Sequence, residues 1–443
     1  MVEIIWWTLL TTIYEVLAAF MLVYWVAIWI VHFIAIVHGC HKMHRRGPPQ
    51  SQAAADALEK GEGVVGVTVL KPLVGYPMDP NLMTNLESYF NMEYPKFELR
   101  FCVAEEGDPC IMVVKQLMSK YPNVDSTLHV GASDVGVNPK VNNLFKGYQE
   151  ARYPLLLISD ASIFMKPEAL TEMVSIMASN IGIVHQVPYT TDRKGWPATL
   201  EKLFFGGAHC RMYLFLNVLD MLNLKVNCVT GMSCLIRKKM LDHGGGIGAF
   251  GQYLAEDYFF ARYSQANGWG LRISSFPALQ NHGVYSVQAL FSRAVRWTKL
   301  RVKMAPVSMF LDPLSECVLL GILSSLAATV HLQADFLAFF LFHLLAWILA
   351  DWTLLNIMQN GPPPFSKFEF AITWLFREFT AFFVYLSAFQ NSEIQWRTSR
   401  FIVHWGGRAE RINDPSDAAA AAVACIDNNE KTKVAGLTGV SIV

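Results

Sequence analysis

Val16–Val37 runs for 22 residues with His32 as its only clearly ionisable side chain. A helix of that length just spans a hydrocarbon core of about 30 Å. Trp6, Trp7, Tyr24 and Trp25 lie within and beside the run, as aromatic residues do at membrane borders. A cleaved signal peptide starts positive and has a short apolar core, whereas this chain starts Met1-Val2-Glu3 and its core is long. Lys42, Arg45 and Arg46 follow the run. By the positive-inside rule it is a signal anchor, N-terminus outside and everything after it in the cytosol.

Three further apolar blocks stand near the other end, at Val307–Leu332, Phe336–Met358 and Phe370–Phe389. The third carries Arg377 and Glu378 near its centre, which are costly in lipid unless paired or turned toward protein. It therefore reads either as a span or as an interfacial helix. If all three blocks cross, the tail from Asn391 lies outside; Arg397, Arg400, Arg408 and Arg411 argue for inside. The sequence leaves this conflict open. Gly47–Gly63 lacks apolar periodicity and reads as a flexible linker, and the chain from Asp417 onward is Ala-rich, then polar, and expected to be disordered. The expected organisation is an anchor over 1–40, a basic flank and linker over 41–63, a catalytic domain over 64–306, membrane helices over 307–390 and a polar tail over 391–443.

Hydrophobic residues make up 53% of the chain and charged ones 16%, and the apolar excess is confined to these blocks. The middle reads as a water-soluble protein. Formal net charge is zero, so there is no bulk attraction to nucleic acid, and none is expected as a partner. Eight cysteines show neither a C-x-x-C pair nor zinc spacing, which fits a reducing, cytosolic setting.

Within the middle domain strand-like and helical runs alternate. Val64–Leu70, Glu98–Ala104, Leu155–Ser159 and Ile181–His185 read as strands; Met83–Phe90, Ile111–Ser119 and Pro167–Asn180 read as helices. Such alternation gives an α/β fold with a mainly parallel sheet and helices on both faces. Ligands of these sheets sit beyond the carboxyl ends of the strands, which directs attention to the residues just after Ala104 and Ser159.

Acids stand at both places. Asp108 lies in Glu105-Glu106-Gly107-Asp108-Pro109, and Asp160 directly follows Ser159. Each can hold a base, a ribose or a hard cation; for Asp108, directly before proline, a helix cap is an equal reading. A third acidic position is Glu256-Asp257, set between Tyr253-Leu254-Ala255 and Tyr258-Phe259. Adjacent carboxylates in apolar surroundings repel and resist burial, which marks functional pairs, although a solvated helix start is the plainer alternative. Arg293, Arg296 and Trp297 fall on one helical face. Guanidinium groups there suit either a diphosphate or anionic headgroups. His209, in Phe205-Gly206-Gly207-Ala208-His209, reads as a loop residue that lines an acceptor entrance or merely faces solvent. Asp242-His243-Gly244-Gly245-Gly246 reads first as a helix C-cap.

Asp108-Pro109, Asp160, Glu256-Asp257 and Arg293-x-x-Arg296-Trp297, in that order, resemble the four-part signature of inverting GT-A glycosyltransferases. Asn138-Pro139-Lys140-Val141-Asn142-Asn143-Leu144, Val229-Thr230-Gly231-Met232-Ser233-Cys234 and Arg296-Trp297-Thr298-Lys299-Leu300-Arg301 are similar to the ceramide glucosyltransferases. The resemblance runs from about Val67 to Pro306 and includes the membrane layout. It implies a GT-A domain that transfers glucose from UDP-glucose to the primary hydroxyl of ceramide with inversion, at a Golgi membrane and facing the cytosol. Asp108 would contact the nucleotide, and Asp160 would help hold a divalent metal, Mn or Mg, on the diphosphate. Asp257 would be the general base. Arg293, Arg296 and Trp297 would stabilise departing UDP, with Lys140 adding positive charge. Two positions depart from the pattern. Asp160-Ala161-Ser162 replaces Asp-x-Asp, which leaves one carboxylate ligand fewer, and Arg293 stands where many relatives have Gln. A processive polysaccharide synthase shares the four motifs but needs a channel of several spans, and a non-catalytic lipid-binding scaffold would not need these acids and arginines intact.

Overall fold

The computed structural model describes residues 2–45, 63–75, 78–226, 228–283, 286–396 and 399–412. Arg46, most of the expected linker, Arg397 and the tail beyond 412 lie outside the described residues. Helix α1 (Val2–Lys42) is followed by β1 (Val67–Leu73), α2 (Leu82–Phe90), β2 (Phe97–Val103), α3 (Cys110–Lys120), β3 (Ser126–Val130), α4 (Pro139–Gln149), β4 (Leu155–Ser159), β5 (Ile163–Phe164), α5 (Ala169–Ile176), β6 (Ile181–His185) and β7 (Pro188–Thr190). Then come α6 (Trp196–Phe204), a π-helical turn Phe205–His209, α7 (Cys210–Met221), β8 (Ser233–Arg237), α8 (Lys238–His243), a 3₁₀ turn Ile247–Phe250, α9 (Glu256–Ala266), β9 (Gly270–Ile273) and β10 (Ala278–Gln280). As anticipated, Gly244 caps α8 and Gly246 returns an N–H to Leu241 O.

Seven strands form the central sheet in the order β3-β2-β1-β4-β8-β6-β9. β4 is buried throughout, as suits a strand covered on both faces by helices. β8 runs antiparallel to β4 and β6, and the remaining pairs are parallel. This reversal decides where the site forms. It brings the start of β8 to the edge where β1, β2 and β4 finish, so Ser233 pairs with Ser159 and Asp160 N donates to Met232 O at 2.9 Å.

The chain continues through α10 (Val287–Met304), α11 (Ser308–Leu314), α12 (Cys317–His331), α13 (Phe336–Gln359) and α14 (Lys367–Phe389) into β11 (Glu393–Trp396), β12 (Ser399–Val403) and β13 (Ala409–Ile412). Glu3–Lys42 and Phe336–Gln359 are long and apolar enough to cross a membrane; Cys317–His331 is apolar but shorter. Among these helices lies a buried ionic cluster. Arg211 donates to His32 Nε2 at 2.5 Å and stands 3.5 Å from Asp351, and Trp374 Nε1 donates to Asp351 at 2.9 Å. Arg377 lies 3.6 Å from both Asp351 and Glu316 and 3.0 Å from Glu378. Arg377 and Glu378 thus face protein, which removes the lipid penalty that their position in an apolar block raises.

Beyond α14 the chain returns to the α/β domain. β11–β13 form an antiparallel sheet in what reads from sequence as polar tail. Ala409 N donates to Gln252 O and Gly406 N to Lys303 O, each at 3.0 Å. Gly407 packs so closely that a Cβ would stand 2.7 Å from Phe259 Cζ.

Candidate active site

The site is assembled around one ammonium group. Asn138 caps α4, its side-chain oxygen accepting from Lys140 N at 2.8 Å and Val141 N at 3.3 Å, with Pro139 in the first turn. This fixes Lys140 at the start of the helix, pointing to the sheet edge. There Lys140 Nζ lies 2.9 Å from Asp160 Oδ1 and 3.0 Å from Glu256 Oε1, and donates to Gly231 O at 2.8 Å. Burial works against its charge, but Asp160, Glu256 and Asp257 outweigh burial and hold the lysine pKa well above its usual value. Asn138 also donates from Nδ2 to Glu256 Oε2 at 2.9 Å, so one residue orders both the helix and the acid.

Glu256 and Asp257 open α9, where the helix dipole favours acids. The plain reading of a helix start is thus correct in form, but it is not solvated, since Glu256 is buried. Asp257 Oδ2 accepts from Gly231 N at 2.5 Å and Oδ1 from its neighbour Tyr258 N at 2.9 Å. Burial first, and then the charge of Glu256, push the Asp257 carboxyl up to about 6, with Lys140 and the two backbone donors opposing. Gly231 leaves little room for a side chain: a Cβ would lie 3.0 Å from Asp257 Oδ2 and 3.2 Å from Lys140 Nζ.

A fully buried lysine lies behind this group. Lys71 Nζ donates to the Asp160 carbonyl at 2.6 Å and sits 3.9 Å over the Tyr89 ring. Burial lowers its pKa well below the usual value, partly countered by Asp160. Lys71-Pro72 reads from sequence as the end of the Val64–Leu70 strand, so Lys71 is not marked as a site residue; β1 instead runs on to Leu73 and carries Lys71 within it. Asn138 and Gly231 stood within motifs quoted above, but their roles rest on contacts from distant segments.

The other candidates are placed at varied distance. Arg293 Nη2 donates to Gln280 Oε1 at 2.6 Å and approaches Met232 Sδ at 3.9 Å, one residue from Gly231; its Nη1 is 3.5 Å from Glu201. Trp297 lies under Arg293 at 4.5 Å and stacks on His209 at 5.7 Å with an interplanar angle of 20°. Arg296 does not share their surroundings: its guanidinium lies 5.9 Å over Trp396 of β11. Three-residue spacing turned it far enough around α10 to meet the C-terminal sheet.

Asp108 is 6% exposed, and its carboxylate accepts from Gly75 N at 3.0 and 2.9 Å and from Cys110 N at 2.8 Å. In this state it ties the end of β1 to the start of α3.

His209 closes a π-helical turn and not the open loop expected from its glycines, although the turn is kinked at Gly207 (φ −100°, ψ −111°). Gly206 and Gly207 serve close approach instead: a Cβ on Gly206 would lie 2.5 Å from Leu355, and one on Gly207 3.2 Å from Arg377 Nη1. His209 is held among Phe204, Phe205, Tyr213 and Trp297. Burial pushes its pKa down to about 3, with Arg301 and Arg293 adding to the effect.

The profile of glycosyl transferase family 21 matches residues 27–409. The chain belongs to this family. Ceramide glucosyltransferase 1 of Caenorhabditis elegans is 40% identical over 383 residues, covering 86% of this family 21 chain and 78% of the relative. Ceramide glucosyltransferase of Komagataella phaffii is 29% identical over 435 residues, covering 79% and 84%. Among solved structures, the mannosyltransferase PcManGT of Pyrobaculum calidifontis, in complex with GDP-Man and Mn²⁺, aligns with 84% of this chain and 97% of its own at 12% identity and a TM-score of 0.44.

Proposed function

We propose that this chain transfers glucose from UDP-glucose to the primary hydroxyl of ceramide with inversion, giving glucosylceramide. The observation that carries the reading is Asp257, a partly buried carboxylate at the sheet edge, joined through Gly231 and Lys140 to the acid that ends β4. Membership of family 21, relatives named ceramide glucosyltransferase and two membrane-length helices support it.

In this reaction Asp257 takes the proton of the acceptor hydroxyl while its oxygen attacks the anomeric carbon from the face opposite UDP. The bond from that carbon to the diphosphate breaks, and the electron pair leaves on the β-phosphate oxygen. A carboxyl held near 6 is mostly ionised at neutral pH yet more basic than an exposed aspartate, which suits the task. Gly231 N and Tyr258 N aim the carboxylate, and Lys140 supplies positive charge where the diphosphate arrives. Arg293, with Trp297 beneath it, stands next in line to meet the leaving group. We assign Asp108 to the nucleotide side and His209 to the acceptor side, with Trp297 between His209 and Arg293.

A divalent cation fits this donor set in one particular way. Lys140 and its three carboxylates carry a formal charge of −3 + 1 = −2, which would repel a diphosphate unless a cation intervened. Asp160, with its side chain 37% exposed and one oxygen facing Lys140, would hold the ion. Among the described residues no group of three or more His, Cys, Asp or Glu is arranged to hold a metal. Diphosphate oxygens and water would therefore complete the shell, as is usual for Mg²⁺. When bound, the ion would neutralise the leaving diphosphate. The reaction is assigned to the cytosolic face of a Golgi membrane.

Membranes carrying the protein, incubated with labelled UDP-glucose and ceramide, test the proposal. Label should appear in extracted glycolipid. Label in polymer instead, or in neither fraction, would overturn it.

A further inference from the structure

Helix α14 reads from sequence as either a span or an interfacial helix, and both of its ends are fastened to the α/β domain. At its start Glu369 accepts from Thr199 of α6 at 2.7 Å, and nearer the middle Trp196 packs edge-on to Phe376 at 4.7 Å. At its end Lys299 of α10 donates to Asn391 Oδ1 at 2.5 Å and to Glu393 O at 2.8 Å. A helix of 23 residues is about 34 Å long. If it crossed a bilayer, one of those ends would have to leave the domain. The ties to α13 agree: Asp351 and Trp352 meet Trp374 and Phe370 in the half of α13 that leads down to Gln359. Gln359 is itself bonded to Tyr189 and Lys202 of the domain.

The two faces of α14 differ sharply. Thr373, Trp374, Arg377, Glu378, Tyr385 and Ala388 are buried against protein. Phe368, Ile372, Phe376, Phe379, Phe382, Phe383, Leu386 and Phe389 are between 38% and 76% exposed. At 100° per residue these eight fall within an arc of roughly 140°. A row of this size on a helix surface marks an interaction site.

We propose that α14 lies in the plane of the bilayer surface with this row in the acyl boundary, so that it does not cross and holds the α/β domain against the leaflet it serves. The occupant is lipid, because the row is continuous in kind with the exposed apolar faces of α1 and α13, where Val23, Val26, Ile30, Leu341, Leu345 and Leu349 also face outward. Amphipathic helices of this kind bury their apolar face a few ångströms deep, at about 5–10 Å. The placement rests on the reading of the chain as membrane-bound. It also resolves the conflict over the tail: β11–β13 begin on the side of the catalytic domain, as Arg400, Arg408 and Arg411 require.

Depth-dependent quenching tests this on the full chain in lipid nanodiscs. Cys40 and Cys425 are first replaced by Ser, and a fluorophore is attached singly at Phe368→Cys, Phe379→Cys, Phe389→Cys or, as a reference for the bilayer centre, Val26→Cys. Lipids spin-labelled near the headgroup should quench the three α14 labels alike and more strongly than lipids labelled deep in the chain, while the reference shows the reverse order. A label at 379 quenched best by the deep probe, with 368 and 389 shallow, would mean that α14 crosses. Absence of quenching at all three, with the reference normal, would mean that a second copy or water covers the row. An unquenched reference would overturn the membrane reading itself. None of these outcomes depends on activity, so each is separable from failure of the proposed reaction.

Discussion

Lys140 Nζ stands 2.9 Å from Asp160 Oδ1, joining the first turn of α4 to the end of β4. The same nitrogen reaches Glu256 at 3.0 Å. Removing the ammonium strands Glu256, whose side chain is 5% exposed, without its counter-charge. Lys140→Met should therefore lower stability by about 3 kcal/mol, read from chemical unfolding. The Asp160 arm contributes less because that acid is partly in water. Adding Glu256→Gln to Lys140→Met should recover part of the loss, and no recovery would mean that the pair is not coupled.

Asp160→Ala should weaken UDP-glucose binding and abolish its response to added Mn²⁺ together, since one carboxylate is assigned both tasks. Calorimetric titration of nucleotide with and without the ion reads this. A normal metal response in the variant would reduce Asp160 to a strand-end partner for Lys140.

Gly231→Ala places a Cβ 3.0 Å from Asp257 Oδ2 and 3.2 Å from Lys140 Nζ. Both groups must shift by a few tenths of an ångström, and the reacting geometry tolerates little displacement. Turnover should fall roughly tenfold or more while UDP binding changes little. Equal turnover would mean that the loop before β8 relaxes freely.

His209 is neutral across the working range, because burial holds its pKa near 3. It should act as an aromatic surface between Trp297 and Tyr213 rather than as an acid or base. His209→Phe should keep activity within a few-fold, whereas His209→Ala should raise the KM for the lipid acceptor. A collapse of kcat in the phenylalanine variant would assign the imidazole a proton-transfer role.

Much of this was legible in sequence because local pattern and burial agree. Leu155–Ser159 and Ile181–His185 are mostly apolar runs and form β4 and β6 at those residues. The reversed strand β8 was not, since five residues, Ser233-Cys234-Leu235-Ile236-Arg237, carry no mark of direction. That reversal is what brings Gly231 to Asp160. Lys140 was recognised as a source of positive charge, but its pairing with Glu256 joins residues 116 positions apart, beyond the reach of periodicity. Gly206-Gly207 misled for a physical reason: glycine marks close approach as well as flexibility, and here it admits Leu355 and Arg377 to the helix backbone.

Asp257 carries the chemical step in this scheme, and its environment sets the pH at which it can act. Burial and Glu256 raise its carboxyl to about 6. A base must be ionised to accept a proton, so kcat/KM should be level above about pH 7 and fall tenfold per unit well below pH 6. Glu256→Gln removes the second of the two causes, and the acid limb should move to lower pH. Asp257→Asn keeps the size and one acceptor oxygen but removes the basicity, so turnover should fall by about 10²-fold or more. Nucleotide binding should persist, because Lys140 and Asp160 remain. The amide would present its NH₂ to Gly231 N or Tyr258 N, where the carboxylate offered oxygen to both. A modest loss of stability is therefore expected and is separated from catalysis by measuring UDP binding on the same preparation. An unchanged acid limb in Glu256→Gln, or near-normal turnover in Asp257→Asn, would move the base to another residue.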